Sequence, residues 1–147
     1  MRKAVPLVLL GLLALGATGC ATTAAKDDKM KAVYHINSDD PKTLKAALGN
    51  VQNHLNAVGK DKADIKVVMH GNGLAMLQLA KSDEDVKAKV DKLKLDGVAF
   101  NVCANTLKGK KLNYKTDLHD VSDKDIVPSG VAEIAILQGK GYAYIKP

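Results

Sequence analysis

The regular alternation of strand-like and helix-like segments constrains the fold of this chain more than any other feature. From residue 31 to residue 147, short β-branched runs alternate with segments whose apolar residues recur every three or four positions. That second spacing is typical of helices that bury one face. Alternating strands and helices predict parallel strands joined by right-handed crossovers, with helices on both faces of the sheet. We therefore expect an α/β domain of three layers, α/β/α, with a mostly parallel sheet of about five strands.

Residues that favour helix and strand ends place the individual elements. Pro41 suits the first turn of a helix, and Gly59 suits its end. Ser82 is the expected cap of a later helix, because three acidic residues follow it and favour the positive end of the helix dipole. The expected strands span residues 31–37, 65–69, 97–103, 126–127 and 142–146.

The first nineteen residues have the form of a signal peptide. Arg2 and Lys3 provide a positive start, and residues 4–17 are almost entirely aliphatic. This run is shorter than the roughly 20 residues that span a bilayer, and it matches the apolar core of an export signal. The small residues that follow end at Cys20, and this ending resembles the bacterial lipobox, in which the cysteine becomes the lipidated first residue of the mature protein.

Two processing routes are open. Cleavage before Cys20 removes residues 1–19, and Cys20 then carries the lipid. Residues 20–30 form a short tether in that case, and residues 31–147 form the folded domain. We then expect an exported, periplasmic lipoprotein that its lipid anchor holds at the membrane. Cleavage near residues 23–25 would instead release a soluble periplasmic protein.

The charge and the aromatic content disfavour a nucleic-acid partner. The formal net charge is +6, and it becomes +4 when Arg2 and Lys3 are removed with the signal peptide, because 20 Lys then face 16 acidic residues. The remaining domain has no Arg, the side chain that best forms bidentate contacts to phosphates and base edges. Four Tyr, one Phe and no Trp offer few surfaces on which bases could stack.

The cysteine count draws attention to one residue. Once Cys20 is lipidated or removed, Cys103 is the single cysteine of the folded domain, so no internal disulfide can form. A lone cysteine is often just a small buried apolar residue. Cys103, however, ends a predicted strand immediately before a helix, where the helix dipole favours the nucleophilic thiolate. We therefore expect an accessible, reactive thiol at this position.

Three successive strands bring polar groups to the carboxyl edge of the predicted sheet, where open α/β sheets bind ligands. The first strand ends near His35, the second at His70 and the third at Cys103. These three residues are the candidate catalytic residues. The candidate substrate-binding residues around them are Asn37, Gly71, Asn72, Asn105 and Thr106.

Each candidate also has a purely structural interpretation. His70 precedes Gly-Asn-Gly and could simply end a strand in a turn that needs positive φ. His35 could be a core histidine under a helix, while Asn105 and Thr106 could cap the helix that follows them. None of these residues has the local spacing of metal ligands, so no metal site is predicted. The acidic segment after the first strand would repel a phosphate, so neither a flavin nor another cofactor is expected.

Several segments together resemble the DsrE/DsrF-like family, and the last two of them resemble its exported branch. They are residues 33–37, 67–71, 103–107, 127–134 and 141–147. The resemblance covers essentially all of the chain after residue 30. It implies a flavodoxin-like fold, assembly into trimers or hexamers, and sulfur relay with the sulfur held as a persulfide on Cys103. A second, resolving cysteine is absent, so the resemblance also implies a donor or acceptor protein that bears a thiol.

Three functions remain open at this point. The first is a periplasmic sulfur carrier or sulfurtransferase, in which the Cys103 thiolate accepts sulfane sulfur with help from His35 or His70 and without a cofactor. The second is a metal-binding protein in which these three side chains converge on a soft ion. The third is a homo-oligomeric binding or structural subunit whose pocket holds a small anion.

Overall fold

A computed structural model describes residues 29–147. The predicted signal peptide, Cys20 and nearly all of the predicted tether lie outside the described residues. Among the described residues, no helix has the length and hydropathy needed to cross a membrane.

The described chain forms one sheet of five strands. They are β1 (Met30–Ile36), β2 (Ala63–Met69), β3 (Ala99–Cys103), β4 (Ile126–Val127) and β5 (Ala143–Ile145). The strand order is β4-β3-β2-β1-β5, and every pair of neighbours is parallel. The predicted α/β architecture is confirmed, and the sheet is entirely rather than mostly parallel. β3 begins two residues later than predicted, because Gly97 has φ +96° and belongs to the turn before the strand.

Six α-helices within residues 29–147 connect and cover these strands. They are α1 (Pro41–Val58), α2 (Ala75–Leu79), α3 (Glu84–Leu95), α4 (Ala104–Lys110), α5 (Tyr114–Asp117) and α6 (Gly130–Gly139). Pro41 lies in the first turn of α1, as predicted, and the Asp40 carboxylate accepts a hydrogen bond from the Thr43 N–H at 2.8 Å. This carboxylate occupies the end of the helix that a phosphate would need.

The cap of α3 differs from the prediction. The Asp83 carboxylate, and not Ser82, accepts hydrogen bonds from the backbone N–H groups of Asp85 and Val86, each at 3.1 Å. The Ser82 hydroxyl instead donates to the Leu79 carbonyl at the end of the preceding helical turn. Both residue types cap helices well, so local sequence did not distinguish them.

The two faces of the sheet are covered unequally. Helices α1 to α4 contribute buried residues to the main core on one face, and Tyr114 of α5 packs against it. Of the described helices, only α6 packs on the other face. The smaller core under α6 consists of Val33, Val68, Ile134, Leu137 and Tyr142.

The strand order explains where α6 lies. The connections from β1 to β4 all step in one direction across the sheet, whereas the connection from β4 to β5 returns past β1. Right-handed crossovers that run in opposite directions lie on opposite faces. The chain therefore leaves β3 towards one face and β4 towards the other. The carboxyl ends of these two strands form the topological switch point, the usual ligand site of an open α/β sheet.

The turn after β2 packs directly on the end of β1. The His70 N–H donates to the Ile36 carbonyl at 3.2 Å, and a Cβ on Gly73 would lie 2.1 Å from that same oxygen. Only glycine allows this approach. The preceding Gly71 has φ +56°, so the structural interpretation of the Gly-Asn-Gly turn is correct for its first residue. The turn fixes His70 beside the end of β1.

Candidate active site at the switch point

Cys103 lies at the switch point between β3 and β4. It is the last residue of β3, pairs with Val127 of β4 and directly precedes α4. The residue is only 4% exposed, so the expectation of an openly accessible thiol is wrong. The burial follows from the topology, because α4 and α6 leave the sheet on either side of this position and enclose the side chain.

Two opposing effects act on the Cys103 thiol. Burial raises the pKa of the thiol, but hydrogen bonds from the Thr106 hydroxyl and from the backbone N–H groups of Gly130, Thr106 and Asn105 lower it. The hydrogen bonds have the larger effect, so the pKa of the Cys103 thiol lies below its ordinary value. The first turns of α4 and α6 therefore both favour the thiolate form of Cys103.

Gly130 separates Cys103 from His70. A Cβ on Gly130 would lie 2.8 Å from the Cβ of His70 and 3.3 Å from the Cβ of Cys103. The first residue of α6 is therefore glycine for reasons of space, and its lack of a side chain lets both functional residues approach the helix end. His70 and Cys103 border the same small volume.

His35 and His70 form a close pair. Their Nε2 atoms are 2.6 Å apart, and their rings are stacked with centroids 4.7 Å apart at an interplanar angle of 25°. The other ring nitrogen of His35, Nδ1, lies 2.7 Å from the Tyr144 hydroxyl. The β1–β2 register brings the histidines together, since Ile36 pairs with Met69, which precedes His70.

The surroundings disfavour the charged form of both imidazoles. Burial, the nearby His70 and the positive charge of Lys146 lower the pKa of His35 to about 4. Burial and the same lysine charge also lower the pKa of His70. A neutral imidazole can accept a proton from a thiol, which an imidazolium cannot.

The predicted substrate-binding residues divide into two groups. Thr106 and Gly71 belong to the thiol site, because the Thr106 hydroxyl contacts Cys103 and accepts the Gly71 N–H at 2.9 Å. Asn105 contributes its backbone N–H, while its side chain is exposed.

The other two candidates are bound to lysines instead. The Asn72 amide oxygen accepts from Lys110 at 3.0 Å, and the Asn37 amide oxygen accepts from Lys146. Asn37 lies at the β1–β5 end of the edge, on the far side of the histidine pair from Cys103. The fold therefore brings together five of the predicted residues, which are Cys103, His70, His35, Thr106 and Gly71.

Sequence reasoning missed three contributors to the site, Gly130, Tyr144 and Lys146. Tyr144 reaches His35 because β5 pairs with β1 in the register that sets Tyr144 beside Val33, on the face that also carries His35. No local pattern contains this information. Only the position of Gly130, at the start of the expected last helix, could have signalled a close approach.

The arrangement of the histidine pair and Cys103 can be compared with the geometry that a metal ion requires. Among residues 29–147, no group of three or more His, Cys, Asp and Glu side chains is arranged to hold a metal ion. Two nitrogens that each lie 2.0–2.1 Å from a tetrahedral zinc ion are roughly 3.3 Å apart, which exceeds the separation of the two Nε2 atoms. The remaining histidines are engaged elsewhere, His54 with Tyr34 and His119 with Asp91.

A larger cleft of about 490 Å³ lies away from this site. Its walls come from the start of β3, the end of α3 and the segment before β4, including Ala99, Lys94 and Asp125. It opens at the amino end of β3, whereas Cys103 stands at the carboxyl end. The cleft and the thiol site are therefore separate.

The fold and the site define a flavodoxin-like α/β protein with a cysteine at its topological switch point. The sequence pattern of the DsrE/DsrF-like family matches residues 30–147, and the chain belongs to that family. Membership supports a function of the sulfur-relay type at the level of the family.

A solved structure supports the same fold. The chain is similar to MTH1491, a protein of unknown function from Methanobacterium thermoautotrophicum, with 32% sequence identity and a TM-score of 0.68. The match covers 79% of this chain and 97% of that one. A search of curated proteins gave no significant match.

Proposed function

We propose that this protein is a periplasmic sulfur carrier that holds sulfane sulfur as a persulfide on Cys103. The observation that carries the proposal is the position of Cys103, which ends β3 at the switch point, directly precedes α4 and lies beside Gly130 at the start of α6. The donors of these two helix starts and the Thr106 hydroxyl lower the pKa of the thiol and so favour the thiolate, which is the form that attacks a sulfane sulfur atom. Family membership supplies the class of chemistry.

The sulfur transfer needs no cofactor, because its atoms and electrons balance between the two thiols. The Cys103 thiolate attacks the outer sulfur of a persulfide donor, R–S–SH, and a new S–S bond forms at Cys103. The bond between the donor's two sulfurs breaks, and its electron pair leaves on R–S⁻. The reaction Cys–S⁻ + R–S–SH → Cys–S–SH + R–S⁻ involves no net oxidation. A thiolate of an acceptor protein then removes the sulfur in the same way, because the described domain has no second cysteine to resolve the persulfide.

We infer that the histidine pair supplies the base. Cys103 must lose its proton before it attacks, and the Cβ atoms of His70 and Cys103 both lie beside Gly130. His35 holds His70 through the Nε2 contact, which keeps the ring in place. The same N–H groups that stabilise the thiolate also stabilise the negative charge on a persulfide anion.

A sulfur-loading experiment tests the proposal. The purified protein is exposed to polysulfide or thiosulfate, and intact-mass spectrometry measures the gain of one sulfur atom. We expect loading on wild type and none on Cys103→Ser, with His54→Gln as a matched control that still loads. No gain of mass on a protein whose Cys103 accepts a small alkylating reagent would contradict the function.

A second candidate is a homo-oligomeric protein that holds a small anion and performs no reaction. It is favoured by the burial of Cys103, since a residue that is only 4% exposed is a poor target for the thiol of a partner protein. The N–H cluster would then bind the anion instead of activating the thiol. Metal analysis and anion binding measured on Cys103→Ser separate this candidate from the carrier, because anion binding would survive the substitution.

We also propose export and lipid anchoring through Cys20. The proposal rests on the order of charged, apolar and small residues before that cysteine. Expression with a labelled fatty acid should label wild type in the membrane fraction but not Cys20→Ser. A soluble, unlabelled wild type would instead indicate cleavage near residues 23–25.

A further inference from the structure

A methionine, a histidine and a tyrosine are in contact near the amino edge of the sheet. Met30 is the first residue of β1, and Tyr34 follows four residues later on the same face of that strand. His54 of α1 contacts both side chains. Its Nδ1 lies 3.0 Å from the Tyr34 hydroxyl, and its Nε2 lies 3.2 Å from the Met30 sulfur. The two ring nitrogens are therefore directed to one oxygen atom and one sulfur atom.

The two partners of His54 differ in their exposure. Tyr34 is 3% exposed and belongs to the main core, whereas Met30 is 53% exposed. The other methionines of the described chain, Met69 and Met76, are buried in the core. Residues 29–147 thus present one thioether to solvent, and this thioether is the one that contacts an imidazole. An ion in solution can reach its sulfur atom.

We propose that the Met30 sulfur and His54 Nε2 form a binding site for a soft monovalent metal ion, Cu(I) or its analogue Ag(I). Thioether and imidazole ligands suit such ions, whereas magnesium, calcium and manganese take oxygen ligands. Both ligands are uncharged, because a metal-binding imidazole is neutral, and this suits an ion of single charge. Solvent or a small external ligand completes the coordination. The inference goes beyond the sulfur-carrier function and does not rest on it.

The separation of these two ligand atoms fits a metal ion better than that of the histidine pair. With the bond lengths of zinc as a guide, about 2.0–2.1 Å to nitrogen and 2.3 Å to sulfur, two ligands at a tetrahedral angle lie roughly 3.5 Å apart. The Met30 sulfur and His54 Nε2 are 3.2 Å apart, which is slightly less. A methionine side chain is unbranched and flexible, so the exposed sulfur can make this small movement. The Nε2 atoms of His35 and His70, at 2.6 Å, would have to separate further.

Tyr34 is the positioning residue of the proposed site. A metal-binding histidine normally donates its other N–H to an oxygen atom, which fixes the tautomer and the ring. The Tyr34 hydroxyl occupies that place, and burial raises the pKa of Tyr34, so the hydroxyl keeps its proton. When the ion is bound, Nδ1–H donates to the Tyr34 oxygen and the bare Nε2 binds the metal. The imidazole carries one proton in either tautomer, so binding releases none.

The proposed metal site is separate from the thiol site. All strands are parallel, so the start of β1 at Met30 and the end of β3 at Cys103 lie at opposite edges of the sheet. Metal binding at the amino edge and sulfur loading at the carboxyl edge can therefore be measured independently.

Titration of the full chain with Ag(I) tests the site, with ¹³C in the methionine methyl groups and ¹⁵N in the histidines. Beyond the amount that the cysteine thiols take up, we expect the signals of the Met30 methyl group and His54 Nε2 to change together and to saturate at one ion. Tyr34→Phe should weaken this response by roughly 10–100-fold, as outer-shell substitutions do, and His54→Gln by at least as much. His119→Gln is the matched control, because His119 pairs with Asp91.

The wild-type titration is decisive by itself and needs no variant to fold. Ag(I) that changes neither signal would overturn the proposal, and so would a Met30 response that is equal in wild type and His54→Gln. We expect Zn(II) to leave the Met30 methyl signal unchanged, since thioether sulfur is a soft ligand. Equal responses to Zn(II) and Ag(I) would refute a soft-ion site.

Two variants distinguish this proposal from the sulfur-carrier function. Cys103→Ser should keep the Met30 response to Ag(I) and lose sulfur loading, whereas His54→Gln should lose the response and keep the loading. A wild type that binds Ag(I) at Met30 but never gains sulfur would refute the proposed function and keep the metal site. A wild type that gains sulfur but shows no Met30 response would do the reverse.

Discussion

At the scale of single residues, Cys103 shows how a buried thiol can remain acidic. Burial alone would raise its pKa, as it does for most enclosed cysteines. Four donors reverse the direction, and three of them are backbone N–H groups whose positions the fold fixes. The Thr106 hydroxyl is the one donor that a substitution can remove.

Substitution of Thr106 tests this balance. Thr106→Val removes a hydrogen bond to the thiolate, so the midpoint of the pH–alkylation profile should rise by about one pH unit, given that hydrogen bonds to charged groups contribute roughly 1.5–3 kcal/mol. Thr106→Ser keeps the hydroxyl and should keep the wild-type midpoint. Equal midpoints in Val and Ser variants would show that the backbone donors alone set the pKa.

His35 makes stability depend on pH. Its pKa is lowered to about 4 in the folded protein, below an unfolded value of about 6.5. Between these values the unfolded state binds more protons, so stability falls as pH falls through this window. Discounted for the solvent that reaches the ring, the loss is about 1 kcal/mol, or a few degrees in Tm.

Thermal unfolding of wild type and His35→Gln checks this expectation. Between pH 7.5 and pH 4.5 the Tm of wild type should drop a few degrees more than that of the variant. The two Tm values at pH 7.5 provide the reference, because both proteins are uncharged at this position there. Parallel pH curves for the two proteins would contradict the assigned shift.

At the scale of elements, the start of α6 completes the site. Gly130 contributes its N–H to the Cys103 sulfur and leaves room for His70. α6 is also the helix that holds the second face of the sheet through Ile134 and Leu137. Its position therefore determines both the chemistry and the packing.

The variant Gly130→Ala should impair both the chemistry at Cys103 and the packing of α6. Its Cβ would meet His70 at 2.8 Å, so we expect a loss of about 1–3 kcal/mol in the free energy of unfolding, typical of overpacking, together with a changed rate of Cys103 alkylation. Gly139→Ala, in the same helix, meets nothing within 4 Å and should be neutral or stabilise by up to about 1 kcal/mol. Chemical denaturation measures the free energy of unfolding of both variants. Equal changes in Gly130→Ala and Gly139→Ala would argue against a crowded start of α6.

At the scale of the whole molecule, the sheet is covered asymmetrically. Parallel sheets are normally buried on both faces. Here, of the described helices, α6 is the one that covers its face, and its outer side is itself apolar, with Val131 60% and Ile136 49% exposed. A helix that carries large apolar residues on its outer side as well as its inner side is often covered by a further chain or element. Assembly into a trimer or hexamer remains a prediction, and we expect α6 to lie in the interface.

Light scattering on size-separated protein tests the assembly. We expect a mass of several chains for wild type and a smaller mass for the double variant Val131→Lys with Ile136→Lys. Leu95→Lys is the matched control, because Leu95 is 87% exposed on α3 at the other face. A monomeric wild type, or dissociation by Leu95→Lys alone, would refute an interface at α6.

Local sequence predicted much of the site but not its connections. The identity of Cys103, His35 and His70 as strand-end residues followed from alternation and end signals. Their burial and hydrogen-bond partners did not, because donors such as Gly130 come from a segment 27 positions away in the chain. Capping at Asp83 instead of Ser82 was missed for a smaller reason, since adjacent residues with equal capping ability differ only in context.

The sequence by itself determined the α/β class, the parallel sheet and the edge at which the polar residues emerge, because hydrophobic periodicity and end signals act within a few residues. Only the tertiary structure decided that Cys103 is enclosed, that Tyr144 joins the histidine pair and that α6 covers its face of the sheet. Those features depend on the strand order and on the register between β1 and β5. Register and order are set by packing over the whole chain, which no local pattern records.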